Sequence, residues 1–464
     1  MYEFDFSDTG KKIHFIGIGG ISMSTLAELL MEKGFSVSGS DMNASPITEH
    51  LEKRGAKVYL GQRAENIAGD TDVVIMTAAI HEDNPELMAA REKGIPVITR
   101  AQLLGQVMKL YGYPLAIAGA HGKTTVTSMV SQLLLSADMD PTLSIGGILP
   151  AIGGNFRIGH SRYFVTEACE YTNSFLSFFP RDEIILNIDA DHLDFFKDLD
   201  DIRASFARFA ALIPSDGHLV INGGIDRLSE ITGNVKGKVI TFGDSSEYDY
   251  SAADISFDEL ARGSFTLLKN GERCGQFSLG VPGRHNVYNA LSVIAMADVY
   301  GIDHETVRDA LRLFTGTKRR FEIKGEYRGC TVIDDYAHHP EEIKATLTTA
   351  ASYPHKKLWV VFQPHTYTRT KALMEEFSEA LSLCENVVLA PIYPARETDD
   401  LGISSKTLAD LMVKKGYNAV CPGDFEDIEK FFEKNLSPGD VLITMGAGNV
   451  VEIGESLLSG KLPT

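Results

Sequence analysis

The densest chemistry in the chain sits in one run of residues, Gly119-Ala120-His121-Gly122-Lys123-Thr124-Thr125, between the apolar stretch PLAIA and a segment with helical spacing, VTSMVSQLLLSA. A loop in that position can aim backbone N–H groups at a phosphate at the positive end of a helix. A lysine then reaches the outer phosphates and a hydroxyl faces Mg2+. Lys123 and Thr124 suit these two roles. The usual GxxxxGK[ST] spacing would put glycine where Ile117 stands, so this loop is two residues shorter. GKT also falls by chance in strand-to-helix turns.

A second glycine cluster, Gly17, Gly19 and Gly20, precedes Ser22, with Asp41 at the end of the following apolar run. It resembles an incomplete dinucleotide fingerprint, because the third glycine would fall at Ser22. NAD fits such a turn, and so does the diphosphate of a sugar nucleotide. Glu167 ends the run YFVTE, where a carboxylate can hold Mg2+ beside Thr124, and Asp189, Asp191, His192 and Asp194 crowd the segment NIDADHLD. Carboxylate oxygens suit Mg2+ and a histidine ligand is less usual; acidic turns of this kind also cap helices. Arg319 and Arg320 stand on a short linker, where an arginine could meet a terminal phosphate on domain closure or remain a solvated charge. Two further polar loops, Asp334-Asp335-Tyr336-Ala337-His338-His339-Pro340 and His365-Thr366-Tyr367-Thr368-Arg369, follow apolar runs, where open α/β sheets bind ligands.

The elements that must position these residues repeat one order: apolar strand, polar or glycine turn, amphipathic helix. That order marks parallel α/β sheets. KIHFIGIGG runs into ISMSTLAELLMEKG, and this first unit closes near residue 105. A second opens at PLAIAGAHGKTT and ends in the basic linker GTKRRFE; a third starts at CTVIDDYAHHP. The length of 464 residues suits three domains of about 150 residues. With 44 Lys and Arg against 63 Asp and Glu the formal charge is −19, which opposes a nucleic-acid partner. Phosphate must therefore be met by local groups. The five cysteines form no CxxC pair, which suggests neither a zinc cluster nor a disulfide framework. The acidic N-terminus and the lack of a run of about 18 apolar residues point to a cytoplasmic protein without a membrane partner.

Taken together, GAHGKTT, EACE, NIDADH, HNVYNA, KRRFE, DDYAHHP and PHTYTR resemble, in this order and over nearly the whole chain, the motifs of the Mur ligase family of peptidoglycan synthesis. The resemblance is strongest to its alanine-adding branch. It implies an α/β, three-domain architecture. A Rossmann-like N-terminal domain for the UDP-sugar would span residues 1–112 and a central P-loop ATPase domain 113–317. A Rossmann-like C-terminal domain, bringing in the amino acid, would span 318–464. It also implies ATP-dependent ligation of L-alanine to the lactyl carboxylate of UDP-N-acetylmuramate through an acyl phosphate, by a monomer or homodimer. Murein tripeptide ligation to the same nucleotide is the alternative, and a nicotinamide oxidoreductase a distant one.

On this resemblance Gly17, Gly19, Gly20 and Ser22 would embrace the UDP diphosphate, and Asp41 would meet the uridine ribose. Gly119, Ala120, His121, Gly122, Lys123, Thr124 and Thr125 would form the family's own shortened phosphate loop. Thr124 and Glu167 would serve one Mg2+ and His192 a second. Asn286 and Asn289 would hold adenine, Asp335 the ATP ribose, Tyr336 the base and Arg320 the terminal phosphate. His365 and Arg369 would line the amino-acid side. Lys123, Glu167, His192 and Arg320 are the expected catalytic set. Two departures stand out: Cys169 occupies the place of the aspartate in EADE, and Phe206 that of the lysine carbamylated in other branches.

Overall fold

The computed structural model describes residues 2–77, 80–192, 195–395 and 397–460. By internal packing these fall into two compact units, Met1–Gly146 with Ile152–Phe242, and Gly147–Ala151 with Gly243–Thr464.

The first unit opens with β1 (Lys12–Ile16), α1 (Ile21–Glu32), β2 (Ser36–Asp41), α2 (Pro46–Lys53), β3 (Lys57–Leu60), β4 (Val73–Met76), α3 (Pro85–Glu92), β5 (Val97–Thr99) and α4 (Arg100–Met108). The strands pair in parallel in the order β3-β2-β1-β4-β5. Such a sheet is covered on both faces, which is why KIHFI and VVIM read as continuous apolar runs. The turn after β1 carries Gly17, Gly19 and Gly20, and the first turn of α1 carries Ser22.

The same unit continues with β6 (Tyr113–Ala118), α5 (Lys123–Ser136), β7 (Thr142–Leu149), β8 (Gly154–Arg157), β9 (Tyr163–Glu167), β10 (Asp182–Ile185), α6 (Leu199–Ala210), β11 (His218–Asn222), α7 (Leu228–Thr232) and β12 (Lys238–Gly243). Here the parallel order is β12-β11-β10-β6-β9-β7, so β6 lies centrally and delivers the phosphate loop beside β9 and β10. Leu103, Leu104, Val107 and Met108 of α4 share one apolar core with Phe175, Phe178 and Phe206. This common core makes the two sheets one compact unit. Phe206 is wholly buried in it, with the Phe175 ring against its edge, so an apolar residue there serves packing.

The second unit contains an antiparallel meander, β13 (Tyr250–Phe257), β14 (Arg262–Lys269) and β15 (Glu272–Pro282), followed by α8 (Arg284–Tyr300) and α9 (His304–Leu313). Beyond these come β16 (Glu322–Tyr327), β17 (Cys330–Asp335), α10 (Pro340–Ala351), β18 (Leu358–Phe362), α11 (Tyr367–Ala372), α12 (Met374–Leu381), β19 (Asn386–Leu389), α13 (Ser405–Lys414), β20 (Ala419–Val420), α14 (Phe425–Asn435), β21 (Val441–Met445) and α15 (Val451–Ser459). The sheet order is β16-β17-β21-β18-β19-β20, parallel except for β16. Among the described residues no helix is long and apolar enough to cross a membrane.

Candidate active site

The phosphate loop is shaped by two glycines. Gly119 and Gly122 take φ of +145° and +85°, a region that disfavours residues with a side chain, and Gly122 caps α5 without a side-chain bond. The first turn of α5 therefore faces outward with its positive dipole end. Asn187 clamps the loop from β10's side: its Oδ1 accepts from His121 N at 2.8 Å and its Nδ2 donates to His121 O at 3.0 Å. Lys123 folds back, donating to the Gly119 and Ala120 carbonyls and to Glu170 Oε2, the last at 3.1 Å. Burial opposes the lysine's charge, but Glu170, Cys169 and Glu167 outweigh it and raise the ammonium above its usual range.

Two acidic groups surround this loop. Glu167 accepts from Thr124 Oγ1 at 3.2 Å and from Gly146 N at 2.6 Å. A side chain at residue 146 would collide with that carboxylate, so the contact needs glycine there. Glu170, Asp191 and His192 form the second group, with one ligand atom of each within 4.8 Å of the others. His192 takes a left-handed φ of +54° and packs its ring, tilted by 31°, against Tyr171 with the centroids 4.6 Å apart. The structure thus places His192 with Glu170 and Asp191, and Thr124 with Glu167. Asp194 lies outside the described residues. Asp191 stands in the acidic cluster of NIDADHLD that the sequence marked, whereas Glu170, Asn187 and Gly146 are site neighbours that motif spacing alone did not single out.

At the other sheet of this unit, Gly17 N and Ile18 N donate to Ser40 O at 2.8 and 2.9 Å, and Gly20 N to Gly17 O at 3.2 Å. Asp41 holds the loop, its Oδ2 accepting from Gly19 N at 2.9 Å. A Cβ on Gly19 would meet that oxygen at 2.8 Å. Ser22 lies in the first turn of α1 and accepts from Arg100 Nη1 at 2.8 Å.

The second unit carries the remaining residues. Asn286 and Asn289 share a face of α8, where Asn289 Nδ2 donates to Asn286 Oδ1 at 2.9 Å and Asn286 Nδ2 to Pro282 O at 2.7 Å. The two linker arginines differ. Arg319 is tied to Asp334 at 3.1 Å and to the Gly446 and Gly448 carbonyls at 2.7 and 3.0 Å. Arg320 has a looser ion pair, 3.8 Å from Glu342, and both guanidinium groups pack on the Tyr336 ring. Arg320 is accordingly the one able to turn toward a ligand. Asp335 is buried, accepting from Phe321 N and Ala337 N at 2.8 Å each, and burial lifts its carboxyl to about 6. His365 stacks on Tyr393 and lies 3.5 Å from Arg369 Nη1. Burial, with His338 and Arg369 nearby, holds its imidazole down at about 4, so it is neutral at physiological pH.

Comparisons with known proteins agree with this arrangement. Three family models match in succession: the Mur ligase family catalytic domain over residues 12–111, the Mur ligase middle domain over 117–297 and the Mur ligase glutamate ligase domain over 319–448. The UDP-N-acetylmuramate–L-alanine ligase of Lachnospira eligens is 57% identical over 459 residues, 99% of this chain and all of the relative. That of Agathobacter rectalis is 55% identical over 458 residues, with the same coverage. Among solved structures, a UDP-N-acetylmuramate-alanine ligase from Thermotoga maritima superposes with a TM-score of 0.81 at 32% identity, covering 97% of this chain and 98% of that one. A murein peptide ligase from Psychrobacter arcticus superposes at 0.72 and 25% identity with the same coverage. The glycine cluster at Gly17 falls within the first of the three matched domains, which leaves the nicotinamide reading without support. This chain is a member of the Mur ligase family, with the family's three α/β domains in order along it.

Proposed function

We propose that this protein joins L-alanine to the lactyl carboxylate of UDP-N-acetylmuramate at the expense of ATP, giving UDP-N-acetylmuramoyl-L-alanine, ADP and phosphate. The observation that carries the reading is full-length identity above 50% to relatives bearing that name, on a chain whose phosphate loop is complete. A carboxylate acylates an amine poorly until one oxygen has become phosphate, so the substrate carboxylate attacks the γ-phosphate first and the amine then attacks the acyl phosphate. Two anions must meet in that first step. Lys123 on the phosphate loop and Arg320 on the linker neutralise the transferred group. The amine loses its proton as it attacks; His192 and His365 are the candidate acceptors, and the His365 ring, held at about 4, is a weak base.

The donor sets fit a hard divalent cation. Glu170 and Asp191 offer carboxylate oxygens beside His192, and Glu167 and Thr124 offer oxygens beside the loop. Mg2+ held there would supply charge neutralisation on the phosphates. We assign the UDP-sugar to Gly17, Gly19, Gly20, Ser22 and Asp41, and the adenosine to Asn286, Asn289, Asp335 and Tyr336. His365 and Arg369 take the amino-acid side. Domain limits at 1–112, 113–317 and 318–464, a cytoplasmic location and a monomeric or homodimeric state complete the reading. Phosphate release with UDP-N-acetylmuramate, ATP and a panel of amines tests it. L-Alanine should be the preferred amine; preference for the murein tripeptide would assign the chain to recycling instead.

A further inference from the structure

Arg100 is the first residue of α4 and follows the capping residue Thr99. Its guanidinium is drawn into the first unit, where burial disfavours its charge. Arg319 shows how this chain treats a structural arginine, with a carboxylate and two carbonyls as acceptors. Arg100 is different. It donates to the neutral hydroxyl of Ser22 at 2.8 Å, and the titratable group that bears on it is the Cys169 thiol. Among the described residues no carboxylate lies within ion-pair distance of Arg100, and a guanidinium with five N–H donors, drawn out of water onto one neutral hydroxyl, is costly to leave unanswered.

The location says what answers it. Ser22 stands in the first turn of α1, whose N-terminal residue Gly20 gives no side-chain cap and whose first turn holds no acidic residue. Cys169 lies between Glu167 and Glu170, the two carboxylates beside the phosphate-transfer loop. Arg100 opens α4, whose Leu103 and Leu104 share a core with Phe175 and Phe178 of the second sheet's layer. Its direct contact is on the side of the glycine turn.

We propose that Arg100 binds the diphosphate of the sugar nucleotide together with the first turn of α1. This rests on the functional reading above. A planar guanidinium can grip two phosphate oxygens at once, which an ammonium cannot.

Titration calorimetry with UDP, UDP-N-acetylglucosamine and UDP-N-acetylmuramate tests it in the wild type, Arg100→Ala and Arg100→Lys. Arg100→Ala should weaken all three nucleotides by a similar factor, about 10- to 100-fold for one lost charge-assisted contact. Arg100→Lys should fall between. The KM for UDP-N-acetylmuramate should rise in parallel, while kcat and the KM for ATP stay within about twofold of wild type. Thermal unfolding checks that each variant is folded, and Arg100→Lys carries the test alone if Arg100→Ala does not fold. UDP affinity unchanged in the folded variants overturns the proposal; so does a loss confined to UDP-N-acetylmuramate, which would move Arg100 to the lactyl carboxylate. A wild type that binds UDP yet releases no phosphate with UDP-N-acetylmuramate and L-alanine would sink the functional reading and leave the Arg100 measurement standing.

Discussion

Replacing Glu183 by methionine should stabilise the protein, and the gain should grow with pH. Glu183 lies on β10 between Ala116 of β6 and Leu219 of β11, all wholly buried, and neither of its carboxyl oxygens has a hydrogen-bond partner. Burial, with Asp182 adjacent, raises its carboxyl well above the ordinary 4.5. The folded state thus keeps a proton that the unfolded chain releases, and stability falls as pH rises above the unfolded value, by about 1.4 kcal/mol per unit. Methionine has a similar shape and no proton to lose. It removes about 1–3 kcal/mol of unanswered polar desolvation at any pH, and between about pH 5 and pH 6 its advantage should widen, by at most about 1.4 kcal/mol. Glutamine is the wrong choice, since its amide would be orphaned in turn. Because the chain has several domains, the measurement is native-state hydrogen exchange at the β6, β10 and β11 amides, variant against wild type at each pH. An advantage equal at both pH values, or a loss of protection, would refute the picture of a protonated, unpartnered carboxyl.

Two other outcomes are expected. Lys123→Ala should lower kcat for phosphate release by about 100-fold or more, because the lysine neutralises charge that develops during transfer; near-normal ADP release with both substrates present would remove Lys123 from that role. Glu86, on α3, is wholly buried against the first sheet and accepts from Ser40 Oγ at 2.6 Å and from Asn66, with His14 3.5 Å away. Burial works against its charge, but the bonds from His14, Ser40 and Asn66 prevail and hold it below 4.5. Its stabilisation is present above that value and is lost as pH falls through the folded one. Glu86→Gln should cost about 1.5–3 kcal/mol near neutrality and flatten the acid limb of unfolding of the first sheet; an unchanged acid midpoint would contradict this.

What could be read from the residues was what is local in the chain. The phosphate loop is legible because strand, two glycines, lysine and hydroxyl follow one another, and the fold keeps them together. The meander β13–β15 was absent from the repeated strand-and-helix reading, although Asn270-Gly271, both at positive φ between β14 and β15, carried a hairpin signal. Glu170 was harder to see. Motif order favours Glu167, which ends β9, and nothing local says that the chain then turns through left-handed Thr172 and Asn173 while Glu170 meets Lys123. Asn187 reaches the loop from 66 positions away. Arg100 was invisible for the same reason, since its meaning comes from having a neutral hydroxyl as its hydrogen-bond partner where an ion pair would be ordinary. The net charge of −19 likewise misleads if taken as a uniform field. Acidic groups hold the cations in place, Glu170 on Lys123 and Glu342 near Arg320, while glycine turns aim backbone dipoles outward. An acidic chain can thus handle anionic substrates, provided that its few cations are already oriented when the phosphates arrive.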